Sequence, residues 1–175
     1  AAMTDPNDRP PVPGIVDLHA RIAAGDTLYG TFCMIGAPLI TEQLGRIGFD
    51  WVLIDLEHGG TTEADLLPNL LALGATGAAA LVRPQSGERL RIGRALDLGA
   101  HGIMVPRIDL PDQAREAVSY MRYPPEGVRG LALSTRGAGA GELGHTDIQA
   151  VNRRVLGIIQ VESRSAVDHI EEIAS

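Results

Sequence analysis

Five short apolar runs, each followed by a segment of helical pattern, constrain this chain more than any other feature. The runs are Thr27–Ile35, Trp51–Asp55, Ala79–Val82, Gly102–Val105 and Val155–Val161. The helical segments between and after them are Thr41–Ile47, Asp65–Leu73, Glu88–Leu98, Pro111–Met121 and Ser165–Ile173. Gly48, Gly74 and Gly99 close the first three helices, and Pro111 sits in a first turn, where its missing N–H costs nothing. Strands that are apolar on both faces and alternate with helices predict a buried parallel sheet. Parallel neighbours need a crossover of a dozen or more residues, and repeats of about 20 to 30 residues provide it.

Two α/β architectures compete for such a pattern. A doubly wound sheet favours a glycine-rich phosphate turn after its first strand, and no G-x-G-x-x-G follows Ile35. A (β/α)₈ barrel places its chemistry at the C-terminal ends of several strands. The polar residues fall there: Asp55, Glu57 and His58, then Arg83, then Arg107 and Asp109, then Gln160 and Glu162. The expected fold is therefore an α/β parallel (β/α)₈ TIM barrel. At 175 residues the chain is shorter than the roughly 200 or more a full barrel takes. The expectation is that it covers the N-terminal five or six βα units: a flexible arm over 1–14, then one barrel domain over 15–175.

Composition narrows the partners. The net charge of −7 argues against nucleic acid, which calls for a basic face. No apolar run approaches the roughly 18 residues of a membrane span. A single cysteine, Cys33, leaves no internal disulfide, and the polar, proline-rich start lacks a secretory h-region, so the expected compartment is the cytoplasm. All 15 basic residues are arginine. A Schiff-base mechanism needs a lysine amine, so none can run on these residues.

The stretch Phe49–His58 is the sharpest local feature, an apolar strand that ends in two acids and a histidine. Asp55 and His58 are close enough to pair across a tight turn, as a general base would require; the alternative is a solvated loop with a capping acid. Arg83 ends the third strand and suits a carboxylate or oxyanion, or else a surface ion pair. Alternation puts Gln160 and Glu162 on one face. If that face is the barrel interior, Glu162 is a buried carboxylate that needs a cation, and a hard divalent metal would supply it; otherwise it caps the next helix, a task Ser163 or Ser165 could also do. His19 and His169 read as solvent-exposed, His101 as part of a helix-to-strand turn, and His145 as part of the Gly-rich stretch Gly137 to Gly144, which is expected to shape the entrance. No Cys/His spacing suits zinc, and neither a G-x-S-x-G elbow nor a P-loop is present.

Taken in order, several segments resemble the HpcH/HpaI family of class II aldolases. They are Gly48-Phe49-Asp50-Trp51 through Glu57-His58, Leu81-Val82-Arg83-Pro84, Ala95 to Ala100, Tyr123-Pro124-Pro125 with Gly127 and Arg129-Gly130, and Gln160-Val161-Glu162-Ser163. The resemblance implies a divalent metal (Mg, Mn or Co) ligated by Glu162 and by a second carboxylate beyond Ser175. It implies an acid–base pair of Asp55 and His58, with Arg83 gripping the 2-oxo acid, Gln160 touching substrate, and Asp97 supporting the histidine from its own or a neighbouring subunit. It also implies a homo-oligomer, a hexamer in which the last helix swaps between partners. The expected reaction is cleavage or formation of a 4-hydroxy-2-oxo acid, giving pyruvate or a related 2-oxo acid plus an aldehyde, as in aromatic compound catabolism. The competing expectations are an acyl-CoA lyase of the citrate lyase beta or malyl-CoA type, and a non-catalytic barrel paralogue serving as a binding or assembly subunit. Replacing Arg83 with lysine is expected to damage catalysis severely and leave folding and metal content nearly unchanged.

Overall fold

The computed structural model describes residues 17–141 and 148–175. The expected arm over 1–14 and His145 lie outside the described residues. In chain order the elements are α1 (Leu18–Ala23), β1 (Gly30–Cys33), α2 (Pro38–Arg46), β2 (Trp51–Asp55), α3 (Glu63–Gly74), β3 (Ala79–Arg83), α4 (Arg89–Asp97), β4 (Gly102–Val105), α5 (Pro111–Met121), a 3₁₀ segment (Arg136–Gly141), α6 (Ile148–Arg154), β5 (Leu156–Ile159), α7 (Arg164–Asp168) and α8 (Ile170–Ile173).

The five strands form one sheet in the order β1-β2-β3-β4-β5, with every pairing parallel. Each strand thus lies beside its predecessor. A doubly wound sheet reverses its direction of growth at a switch point; here no reversal occurs, and the sequential order is that of barrel staves. Strand alternation then separates two apolar clusters. Val52, Ile54, Ala80, Val82, Ile103 and Val105 face the helices and pack with Leu66, Leu70, Leu73, Ile92, Leu96 and Met121. Leu53, Ala79 and Leu81 face the other way, with Trp51, Met104, Leu156 and Ile158 beside them and Leu18 of α1 packed in. Residues Val52, Leu53 and Leu73 are wholly buried. At about 1.5–3 kcal/mol for each large aliphatic side chain removed from water, burial on both faces explains why β2, β3 and β4 hold no polar residue before their ends.

The boundaries of β2, β4 and α5 are those read from the sequence, and Gly48 and Gly99 close their helices at φ 104°, a left-handed conformation that favours glycine. The helix expected from Thr41 starts at Pro38, the strand expected over Val155–Val161 runs from Leu156 to Ile159, and four further readings need correction. The strand expected over Thr27–Ile35 runs only from Gly30 to Cys33, because β2 offers partners only from Trp51 to Ile54. The helix expected at Asp65 starts at Glu63: the Asp65 carboxylate accepts from the Thr62 N–H at 2.9 Å, so Asp65 is the third helical residue and caps backwards. The helix expected over Ser165–Ile173 is two short helices, interrupted at His169, whose Nδ1 meets the Ser165 carbonyl oxygen at 2.8 Å. The described part of the glycine stretch forms the 3₁₀ segment against the far end of α4, where the Arg136 Nε donates to the Leu98 carbonyl at 3.2 Å. That end of α4 leads back to the start of β4, so this part does not flank the strand ends that carry the charged residues.

Candidate active site

Asp55 and Arg83 are the last residues of β2 and β3 and are partners in the sheet register. Both lie on the face of Leu53 and Leu81, so the register alone brings them together. Arg83 Nε donates to Asp55 Oδ1 at 2.9 Å and Nη2 donates to Oδ2 at 2.6 Å. The pair is buried: the side chains are 10% and 0% exposed. Arg83 also lies over the Phe32 ring, 5.3 Å from its centroid, and its Nη1 donates to Gln160 Oε1 at 3.3 Å. Burial by itself would push the Asp55 carboxyl up. The Arg83 hydrogen bond, with the His58 and Glu57 N–H groups, outweighs it and holds the group below its usual value. The Asp55 hydrogen bond raises Arg83 against its own burial. A guanidinium has five N–H donors. Three are engaged, leaving one on Nη1 and one on Nη2 for an oxygen of a bound molecule.

The turn after β2 differs from the expected Asp55–His58 pair. Asp55 Oδ1 accepts from the backbone N–H of Glu57 at 3.0 Å and of His58 at 3.3 Å. The carboxylate that faces the His58 ring is Glu57, with Oε1 3.7 Å from Nε2. Asp55 is already saturated by Arg83 and the turn, which is the physical reason it does not take the imidazole. The His58 side chain is 66% exposed. Glu57 is nearly buried, and its Oε2 is 3.3 Å from Arg83 Nε. Gly59 completes the turn: a Cβ there would lie 2.4 Å from the Asp55 carbonyl oxygen. Glu57 and Phe32 are the site residues that sequence reasoning did not assign. Glu57 was signalled by its place two residues past Asp55; Phe32 carried no signal, since only the β1–β2 register puts it under Arg83.

Gln160 reaches Arg83 as described. Glu162 is at the same end of the sheet and adds to the field that raises Arg83. It is exposed, contrary to the expectation of a buried carboxylate. Its Oε1 accepts from the Arg107 N–H at 2.9 Å, and Arg107 adopts φ 56°. Glu162 does not cap α7; Ser163 does, its hydroxyl accepting from the Ala166 N–H at 3.0 Å. Ser163 also donates to Asp109, tying the loops after β4 and β5 together.

Asp97 does not join His58 within one chain. It ends α4, toward the N-terminal ends of the strands, and accepts from Arg129 Nη2 at 2.9 Å. His19 is not simply solvated, since its Nε2 meets the Val155 carbonyl oxygen at 2.9 Å. His101 Nδ1 accepts from the Ala80 N–H at 2.8 Å, which makes it a structural tie between β3 and β4. Among the described residues, no three His, Cys, Asp or Glu side chains converge as a metal site. Glu162 offers one hard oxygen ligand, and Glu57 Oε2 is a buried carboxylate oxygen without a hydrogen bond. This donor set suits a divalent cation in kind and falls short in number.

A sequential parallel sheet with its charged residues gathered at the strand C-termini defines the scaffold of β/α-barrel enzymes. Residues 28–175 match the HpcH/HpaI aldolase/citrate lyase family, and the chain belongs to it. It is 38% identical over 156 residues to a 5-keto-4-deoxy-D-glucarate aldolase of Klebsiella pneumoniae subsp. pneumoniae, a match that covers 89% of this chain and 60% of the relative. A protein of the same name from Salmonella paratyphi A is 35% identical over the same shares. The chain thus spans about 60% of the length of these curated relatives. Among solved structures, an HpcH/HpaI aldolase/citrate lyase family protein from Burkholderia cenocepacia J2315 superposes with a TM-score of 0.83 at 36% identity, over 90% of this chain and 63% of that one. Macrophomate synthase superposes with a TM-score of 0.77 at 29% identity, over 90% and 56%.

Proposed function

We propose that this chain carries the oxo-acid-binding half of a divalent-metal-dependent class II aldolase. The enzyme would cleave or form 4-hydroxy-2-oxo acids, yielding pyruvate or a related 2-oxo acid and an aldehyde. The observation that supports this best is Arg83: a buried guanidinium at a strand C-terminus, fixed by Asp55 and Gln160, with two N–H donors that neither of them engages. Such a preorganised cation stabilises oxygen charge that develops as the C3–C4 bond breaks. His58, exposed at the mouth, takes the proton of the 4-hydroxyl and returns it in the reverse direction. Asp55 acts through Arg83 as its anchor. Glu162 and a second carboxylate would hold a divalent metal, which would supply Lewis-acid stabilisation of negative charge on the 2-oxo oxygen.

The relatives named for 5-keto-4-deoxy-D-glucarate favour a hydroxylated, doubly acidic sugar-acid donor over a product of aromatic catabolism. The same reading includes a cytoplasmic homo-oligomer, hexameric in keeping with the family resemblance, in which Asp97 serves the histidine of a neighbouring copy. No described helix is long and apolar enough to cross a membrane.

Exchange of pyruvate methyl protons for deuterium in D₂O tests the reading. The intact protein should exchange them with Mg²⁺, Mn²⁺ or Co²⁺ and stop when a chelator is added. Borohydride with pyruvate should leave no adduct on these residues. Exchange that is indifferent to the chelator, or a trapped adduct, would overturn it.

A further inference from the structure

We infer that Glu57 is a positioning residue for His58, aligning the imidazole for proton transfer while leaving the free donors of Arg83 to the substrate. The inference rests on the aldolase reading and adds a residue to it. Glu57 lies two residues past Asp55, and its backbone N–H is pinned to Asp55 Oδ1 at 3.0 Å. That turn folds the side chain back toward the sheet, where it is only 12% exposed beside an imidazole that is 66% exposed. A carboxylate beside so open a rim could rotate into water. Staying inward costs hydration, and it persists only if charge compensates it.

Two cationic or potentially cationic groups face it. Arg83 Nε is 3.3 Å from Oε2, but the Nε hydrogen goes to Asp55 Oδ1 at 2.9 Å. Glu57 therefore interacts with the charge of Arg83 without consuming a donor, and Oε2 is left with no hydrogen bond. The positive charge of Arg83 is already matched by Asp55, so Glu57 is the surplus negative charge of the trio. Its other oxygen, Oε1, faces His58 Nε2 at 3.7 Å. When His58 takes the substrate proton it becomes a cation, and within its own chain Glu57 is a carboxylate placed to stabilise and orient it, beside whatever Asp97 of a neighbouring copy contributes. Arg83 does not need Glu57 to stay in place, because Asp55 holds it by two bonds and Gln160 by a third.

The test is a double-mutant cycle of Glu57→Gln and His58→Ala in the intact, Mg²⁺-loaded protein, reading kcat for aldol cleavage and the dissociation constant of oxalate, a planar mimic of the pyruvate enolate. Glu57→Gln is nearly isosteric. It should lower kcat roughly 10- to 100-fold, the usual range for the carboxylate partner of a functional histidine. Oxalate affinity should stay within about threefold, because Arg83 keeps its anchors. In the His58→Ala background the Glu57 substitution should cost nothing further. The inference is overturned if oxalate affinity falls in step with kcat, which would make Glu57 a support for the anion or metal site. It is also overturned if the kcat loss persists undiminished without His58, or if no loss occurs. Wild-type turnover in His58→Ala alone would instead overturn the role of His58 in the aldolase reading, and this inference with it.

Discussion

Two aspartate–arginine pairs sit at opposite ends of this sheet. At the C-terminal end, Asp55 and Arg83 are neighbours in the strand register and form a two-bond fork. At the N-terminal end, Asp97 of α4 accepts one bond from Arg129, whose guanidinium lies over the Tyr123 ring at 4.4 Å from its centroid. Both arginines are buried, yet they differ in what surrounds them. Arg83 faces Gln160, Glu57 and Glu162 and has donors to spare at the open end. The Arg129 side chain is 2% exposed and packed on an aromatic ring with one carboxylate. A buried ion pair is therefore not by itself a sign of a site; what marks Arg83 is a guanidinium held by three hydrogen bonds to two residues at the strand C-termini, whereas Arg129 makes one and its buried Nε has none.

Substitutions should separate the two pairs. The largest effect is expected from Arg83→Ala. It strands a carboxylate with no solvent exposure, and removing one partner of a buried pair costs about 3–5 kcal/mol. Urea denaturation should show this loss. Arg83→Lys keeps a charge but not the planar fork, and it should lower kcat/KM roughly 100- to 1,000-fold, as loss of an oxyanion donor does. Arg129→Met should come next: loss of its hydrogen bond and ring contact should cost about 1–3 kcal/mol of stability. Oxalate binding should not change, and a change would show that the two ends are coupled.

Smaller effects should sharpen the picture of the Arg83 end. Gln160→Ala removes one long hydrogen bond worth about 1 kcal/mol. Oxalate should bind roughly fivefold more weakly by calorimetry, with unfolding nearly unchanged. The effect of pH should be smaller again. The Asp55 carboxyl is lower in the folded chain than its ordinary 3.8, so its contribution to stability is complete above that value. It should decline as pH falls through the folded value, where protonation breaks the pair. Asp55→Asn should be less stable than wild type at neutral pH and should lack that part of the acid-induced loss. Equal acid slopes for the two proteins would contradict the assigned direction.

What was legible in the sequence was what periodicity and register control. β2 is preceded by Asp50 and ends on Asp55, and β4 lies between His101 and Pro106, so their limits could be read directly, and the strand-end positions put Asp55, Arg83, Gln160 and Glu162 at one end of the sheet. The misreadings came from choices that depend on partners distant in sequence. Asp55 had two candidate partners, His58 three residues away and Arg83 on the next strand, and the two-bond fork won. Alternation left Glu162 either buried inside the barrel or capping the next helix, and it does neither, because the left-handed turn at Arg107 offers its carboxylate a backbone N–H at the surface. Asp97 was expected to serve a histidine of its own or a neighbouring subunit, and the direction of α4, which takes it to the far end of the sheet, leaves the neighbouring one as the proposal. Glu57 was visible as a residue and unassigned as a role, because its side-chain direction depends on the turn that Asp55 holds.

The central claim is that Arg83, and not its counterpart Arg129, is the group that holds the 2-oxo acid. Calorimetric titration of oxalate into the intact, metal-loaded wild type and its Arg83→Lys variant tests it most directly. The account predicts binding to wild type and at least a roughly 100-fold weaker dissociation constant in the variant. An Arg83→Lys variant that binds oxalate within about threefold of wild type would contradict it.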